Sequence, residues 1–123
     1  MNILHIDDSH EIRKMYSDML TLDNHLITSV NNGKEGLDLA SVNDYDLILL
    51  DMWMPKYSGI EFLHDLKNKR PSELRKVIVT SALQFNENQV QNLLELGVSS
   101  VVGKPSEIQK LKSILKKIPK LKN

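Results

Sequence analysis

Five short apolar segments recur along the chain, and each is followed by a segment whose apolar residues are spaced as on one face of a helix. The apolar segments, which predict β-strands, are Asn2–Ile6, Leu26–Val30, Leu47–Leu50, Val77–Val79 and Val98–Val102. In the third, both alternating sets of side chains are apolar, which is typical of a central parallel strand covered on both faces. The five repeats predict an α/β fold, in which five helices lie on the two faces of a parallel sheet.

Local signals bound the helices between these strands. Ile60, Leu63 and Leu66 are spaced as on one face of the third helix. The residues expected to cap or end helices are Asp8 or Ser9 for the first, Gly97 for the fourth, and Ser106 with Gln109, a capping box, for the last.

The length of 123 residues suits one domain, and we expect residues 1–123 to form it without an output domain. The chain has no cysteine, which excludes disulfides, thiolate nucleophiles and cysteine-ligated metal centres. No apolar run approaches the roughly 18 residues that a membrane span needs, and the first residues do not form a signal peptide. A cytoplasmic protein is therefore expected.

Polar side chains follow four of the five predicted strands. They are Asp7-Asp8 after the first strand, Asp51 after the third, Thr80-Ser81 after the fourth and Lys104-Pro105 after the fifth. Each has an ordinary local explanation, such as capping a helix, starting a turn or facing solvent. Because parallel strands present their carboxyl ends at one edge of the sheet, their coincidence predicts a functional site at that edge.

The residue types at this edge indicate a chemistry. Three carboxylates in one place repel one another and favour a cation, and oxygen ligands suit Mg²⁺. A carboxylate can itself be a nucleophile and form an aspartyl phosphate, and Mg²⁺ with a lysine stabilises the charge of a transferring phosphoryl group. The residues therefore predict phosphoryl transfer to an aspartate.

Taken together, the motifs resemble the receiver domain of two-component response regulators. The matching segments are Ile6-Asp7-Asp8, Leu49-Leu50-Asp51-Met52-Trp53-Met54-Pro55 with Gly59, Thr80-Ser81-Ala82, and Gly97 with Gly103-Lys104-Pro105. The resemblance covers essentially the whole chain. It implies a flavodoxin-like, doubly wound sheet of strand order 2-1-3-4-5, and a single-domain regulator similar to those of chemotaxis.

The resemblance implies the following roles at the acidic site. Asp51 is the expected phosphoacceptor. Asp7 and Asp8 are expected to hold Mg²⁺ together with Asp51 and the backbone carbonyl of Trp53.

It also implies roles at the ends of the fourth and fifth strands. Lys104 would contact the phosphoryl oxygens, and a hydroxyl after the fourth strand would turn inward to bond them. Ser81-Ala82 fits the family's dipeptide best, and Thr80 stays open as the alternative. The family usually has Tyr or Phe three residues before the lysine, where this chain has Val101, so an aromatic switch is not expected there.

The function implied is that of a phosphoacceptor response regulator. A phosphohistidine on a sensor kinase or a phosphotransfer protein would donate the phosphoryl group to Asp51 in a Mg²⁺-dependent step and so switch partner docking. Such a protein catalyses only its own phosphorylation and dephosphorylation.

Three alternatives differ from this interpretation. A pseudo-receiver would bind partners without phosphorylation, and the chain could also be the receiver segment of a longer regulator. A phosphatase of the haloacid dehalogenase type is disfavoured, because it needs a second Asp two residues after the nucleophile, where this chain has Trp53.

Charge is balanced overall but uneven along the chain. Residues 1–109 carry a net charge of −6 and residues 110–123 carry +6, from six lysines. We interpret these lysines as a solvated helix face, because the tail lacks the aromatic and arginine side chains that read nucleic-acid bases. An output partner is expected at the face formed by the fourth helix, the fifth strand and the fifth helix, helped by these lysines.

Overall fold

The computed structural model describes residues 1–103 and 108–122, and the side chains of these residues other than 108 and 118–122. The strands are β1 (Asn2–Ile6), β2 (Leu26–Val30), β3 (Leu47–Asp51), β4 (Val77–Ser81) and β5 (Ser100–Gly103). The helices are α1 (His10–Leu22), α2 (Gly33–Val42), α3 (Gly59–Lys69), α4 (Glu87–Leu96) and α5 (Ile108–Lys122), with a 3₁₀ helix at Pro71–Lys76.

The strands form one parallel sheet in the order β2-β1-β3-β4-β5, which confirms the predicted fold class. The order changes direction between β1 and β3, and this is where open α/β sheets place their functional sites. Ile6 pairs with Leu50, so Asp7 and Asp51 follow at the same level on adjacent strands.

Two apolar layers cover the sheet. One packs α2, α3 and α4 against one face, with Ile48 and Leu50 of β3 in it. The other packs α1 and α5 against the opposite face, with Leu47 and Leu49 of β3 in it. All of β3 is buried, which confirms its predicted place at the centre of the sheet. No helix within the described residues is long and apolar enough to cross a membrane.

Two of the predicted helix signals are confirmed, at the start of α1 and at the end of α4. Ser9 caps α1, because its side chain accepts a hydrogen bond from the Ile12 amide. Gly97 ends α4 with a φ of 116°, a left-handed conformation that glycine adopts without strain. Ser106 of the predicted capping box lies outside the described residues.

Two local features differ from the sequence interpretation. The segment after α3 forms the 3₁₀ helix, which the sequence analysis did not predict; Leu74 is buried there and Glu73 pairs with Lys76. Ile60 lies on α3 as expected but is 39% exposed, whereas Phe62 is fully buried. Ile60 faces the side of α3 toward α4, where a groove separates the two helices.

Gly59 allows the start of α3 to approach the end of β3. A Cβ atom at this position would lie 2.8 Å from Cα of Met52 and 2.9 Å from the carbonyl oxygen of Asp51. The Gly59 amide also donates a hydrogen bond of 3.0 Å to the carbonyl of Met52. Both contacts are with backbone, so a side chain at Gly59 would displace the residues that carry Asp51.

We expect Gly59→Ala to lower the free energy of unfolding by about 1–3 kcal/mol, since the added methyl group overpacks a site made of backbone. Urea unfolding followed by circular dichroism measures this change. Asn68→Ala is the matched control, because Asn68 is exposed on the same helix. Equal stability of the Gly59→Ala protein and the wild type would show that the loop can move away without cost.

Candidate functional site

Three carboxylates meet at the carboxyl edge of the sheet. Asp7 and Asp8 directly follow β1, and Asp51 is the last residue of β3. One carboxylate oxygen from each lies within 4.8 Å of the others. Asp7 and Asp51 are buried and Asp8 is exposed, so the cluster lies at the surface with two members beneath it.

Backbone and arginine contacts fix Asp7. The Ser9 amide donates a hydrogen bond of 2.9 Å to Oδ1 of Asp7, and Ser9 is also the cap of α1. Nη1 of Arg13 donates a bond of 2.8 Å to the Asp7 carbonyl. The Asp7 amide in turn donates to the carbonyl of Val30 on β2, at 3.2 Å. The start of α1 and the end of β2 therefore position this carboxylate.

The loop after β3 orients Asp51. The Trp53 amide donates a hydrogen bond of 3.2 Å to Oδ1 of Asp51. The Met52 amide donates one of 3.0 Å to the carbonyl of Thr80, which ties this loop to β4. Asp51 is therefore a buried carboxylate whose orientation depends on the backbone of the two residues after it.

An aromatic pair lies beneath the acidic site. The rings of His5 and Tyr16 stack with centroids 4.9 Å apart and planes inclined by 11°. Nε2 of His5 is 3.9 Å from Oδ2 of Asp7, and both side chains are fully buried. Burial, and then the charges of Asp7 and Asp51, raise the pKa of Tyr16 from 10.0 to about 12.

Sequence reasoning did not find this pair. Neither residue is among the candidate site residues of the sequence analysis. The signal available in the sequence is His5, which lies inside an apolar strand two residues before Asp7. Histidine is not usually buried in such a strand.

The donor set at the cluster fits Mg²⁺. It consists of carboxylate oxygens, which are hard ligands, and it contains no sulfur. Trp53, whose carbonyl the sequence analysis adds as a ligand, lines the same cleft as Asp8 and Asp51. Lys104, the predicted cation, lies outside the described residues.

The two candidate hydroxyls at the end of β4 have different environments. Thr80 is fully buried and its hydroxyl donates a hydrogen bond of 3.3 Å to the carbonyl of Leu50, within the sheet. The Ser81 hydroxyl accepts a bond of 2.8 Å from Nε1 of Trp53 and one of 3.0 Å from the Leu83 amide, and it donates one of 2.6 Å to the Leu83 carbonyl. Ser81 thus bonds to a residue of the cleft, whereas Thr80 bonds to β3.

The cleft above the carboxylates has a volume of about 300 Å³. Its walls combine the acidic cluster with residues of α1 and of the loop after β4. They are Asp8, Ser9, Ile12, Asp51, Trp53, Ala82 and Leu83.

Val101 of β5 stands where the resembled family usually has Tyr or Phe. It pairs with Val79 of β4 and packs against the layer of α2, α3 and α4.

Residues 3–116 match the model of a family described as the response regulator receiver domain. The chain is 29% identical over 119 residues to a probable chemotaxis protein CheY of Rhizobium etli, covering 96% of this chain and 92% of that protein. It is 30% identical over 121 residues to sporulation initiation phosphotransferase F of Bacillus subtilis, covering 98% and 95%.

A solved structure of a response regulator is similar to this chain in fold. The response regulator TrrA of Thermotoga maritima, in complex with Mg²⁺ and BeF, is similar with a TM-score of 0.79 and 28% identity, over 95% of this chain and 97% of that one. Several other curated relatives are longer, and the chain spans about half of their length.

The raised pKa of Tyr16 predicts a pH-dependent stability difference. Because the pKa is about 12 in the folded protein and 10.0 ordinarily, folding favours the protonated phenol. The stabilisation of the folded protein that results from this preference is complete below pH 10 and is lost as the pH rises toward 12. In Tyr16→Phe, the free energy of unfolding should be within about 1 kcal/mol of wild type at pH 8, since the hydroxyl has no hydrogen-bond partner among the described residues.

Urea unfolding of both proteins at pH 8 and pH 11 measures this difference. The Tyr16→Phe protein should gain stability relative to wild type at the higher pH, and the groups common to both proteins cancel in the comparison. A difference that is the same at both pH values would contradict the assigned pKa.

Proposed function

This chain belongs to the response regulator receiver domain family, and on that premise we propose that Asp51 is its phosphoacceptor. The observation that carries the proposal is the position of Asp51, which is buried at the end of the central strand within 4.8 Å of two further carboxylates. Receiver domains of response regulators are signalling proteins that act with histidine kinases or phosphotransfer proteins. The donor proposed here is a phosphohistidine of such a partner.

In the proposed reaction, a carboxylate oxygen of Asp51 forms a bond to the phosphorus atom. The bond between phosphorus and the donor's imidazole nitrogen breaks, and that nitrogen keeps the electron pair. The hydrogen bond from the Trp53 amide to Oδ1 orients the carboxylate for this attack. In this scheme the protein catalyses only its own phosphorylation and dephosphorylation.

Receiver domains bind Mg²⁺ at the acidic pocket, and we assign Asp7, Asp8, Asp51 and the Trp53 carbonyl as its ligands here. When bound, Mg²⁺ offsets the negative charge that builds up between the carboxylates and the phosphoryl oxygens. The relative from Thermotoga maritima, whose structure holds Mg²⁺ and BeF, supports this assignment. The Ser9 amide bond keeps Asp7 oriented toward the same site.

Ser81 and Lys104 are the proposed partners of the phosphoryl group. The Ser81 hydroxyl is preferred to that of Thr80, because Ser81 bonds to Trp53 in the cleft and Thr80 bonds within the sheet. The role of Lys104 rests on the resemblance of Lys104-Pro105 to the family motif.

We further propose that residues 1–123 act as one receiver domain. The extent of the family match supports this, since it covers residues 3–116. The output partner is proposed to dock at the face of α4, β5 and α5. Leu94 is 40% exposed there, and Lys110, Lys116 and Lys117 are exposed on α5.

We expect Asp51→Asn to abolish phosphorylation by acetyl phosphate in the presence of Mg²⁺, because the amide cannot act as the nucleophile. Intact-protein mass spectrometry measures the gain of one phosphoryl group. The matched control is Asp18→Asn, which removes an exposed carboxylate paired with Lys14 and should label fully. Labelling of the Asp51→Asn protein to the wild-type level would assign the acceptor elsewhere, and a wild type that takes up no phosphoryl group would favour a pseudo-receiver.

Trp53 is the only tryptophan and lines the acidic cleft, so its fluorescence should change as Mg²⁺ is added. Asp8→Asn should lower the affinity for Mg²⁺ about tenfold or more, since it removes a charged ligand. Asp18→Asn again serves as the control for a lost surface charge. A Mg²⁺ titration that is the same in the Asp8→Asn protein and the wild type would remove Asp8 from the ligand set.

A further inference from the structure

Trp53 lines two cavities. One is the acidic cleft over Asp51. The other is a groove of about 310 Å³ between α3 and α4, lined mainly by apolar residues that include Met52, Ile60 and Phe85. Of the described residues that line the two cavities, Trp53 is the one they share. A movement of its ring would therefore change both cavities at once.

The indole of Trp53 is held from both sides. Its Nε1 donates a hydrogen bond of 2.8 Å to the Ser81 hydroxyl, 28 residues away in the sequence. Its ring faces Phe85, with centroids 6.2 Å apart and planes inclined by 31°. Trp53 is also 50% exposed, so water can replace Ser81 as the partner of Nε1. The ring can therefore leave this position without burying an unpaired N–H group.

The Ser81 hydroxyl has no capacity left for another partner. A serine hydroxyl can donate one hydrogen bond and accept two. Its proton is donated to the Leu83 carbonyl, and its oxygen accepts from the Leu83 amide and from Nε1 of Trp53. Phosphoryl oxygens only accept hydrogen bonds, so Ser81 can bond them only by withdrawing its proton from Leu83 and reorienting. That rotation changes the position from which Trp53 is bonded.

We propose that Trp53 is a positioning residue that holds Ser81 away from the phosphorylation site. The Ser81 oxygen must move toward Asp51 to donate its proton to the phosphoryl group, and this movement breaks its bond from Trp53, so occupancy of Asp51 releases the indole. The released ring then leaves its contact with Phe85 and changes the shape of the groove between α3 and α4. This inference rests on the proposed function, since it takes Asp51 as the acceptor and Ser81 as the responding hydroxyl.

The strength of one hydrogen bond sets the size of the effect. A neutral hydrogen bond shifts an equilibrium between two positions by about twofold to tenfold. A ligand that needs Ser81 reoriented should gain that factor in affinity when the Trp53 bond is absent. Trp53→Phe removes the N–H group and retains an aromatic ring that can face Phe85, so it isolates the hydrogen bond.

The probe is beryllofluoride, a phosphoryl mimic, titrated at a fixed Mg²⁺ concentration and followed by calorimetry. Trp53→Phe should bind it about twofold to tenfold more tightly than wild type. In a Ser81→Ala background, the same Trp53→Phe change should have no effect, because the hydroxyl through which Trp53 acts is absent. An equal gain in both backgrounds would show that Trp53 only obstructs the cleft, and would overturn the proposal.

Trp53 fluorescence supplies a second measurement that needs no substitution of Trp53. Beryllofluoride should change the emission of the wild type as the indole exchanges Ser81 for water. Ser81→Ala should produce that change without the ligand, and beryllofluoride should then add little to it. Emission of the Ser81→Ala protein equal to that of unliganded wild type would contradict the assigned bond.

The outcomes separate this inference from the proposed function. If wild type does not bind beryllofluoride, the phosphoacceptor assignment fails and the inference fails with it. If wild type binds it and Trp53→Phe binds it with unchanged affinity, the phosphoacceptor assignment stands and the role of Trp53 is wrong.

Discussion

The close approach of three carboxylates at the carboxyl edge of the sheet is the constraint on which the rest of this structure depends. The register of β1 with β3 leaves Asp7 and Asp51 at the same level, and both are buried. Buried charges of one sign are unfavourable unless hydrogen bonds and cations offset them. The fold provides backbone amides of Ser9 and Trp53 as donors, so the loops that follow β1 and β3 are shaped by the charges they carry.

The loop after β3 connects this charge to the neighbouring strand and helix. Met52 bonds to Thr80 of β4, and the absence of a side chain at Gly59 lets α3 begin directly against Asp51 and Met52. Trp53 extends from the same loop and bonds to Ser81. A short chain of contacts therefore leads from Asp51 through Trp53 to Phe85 and the groove beside α4. These contacts are local, in a fold whose layers are otherwise closely packed.

The strands and most helix boundaries were predictable, because their signals lie within a few neighbouring residues. Every side chain of Leu47–Leu50 is apolar, and a strand can bury all of them only with a covered face on each side. The three aspartates were found because parallel strands present their ends at one edge of the sheet. The strand order, and the preference for Ser81 over Thr80, came instead from resemblance to a family, since neither follows from periodicity.

By itself, the sequence determined the fold class, the acidic cluster and the chemistry that suits it, since these follow from apolar periodicity and from residue type. Only the tertiary structure decided which side chains meet. The Trp53 indole bonds to Ser81 across 28 residues, His5 stacks on Tyr16, and Ile60 lies at a groove instead of in the core. These contacts depend on the distances and angles between packed elements, and a sequence pattern specifies which face a residue occupies but not which atom of another element lies opposite it.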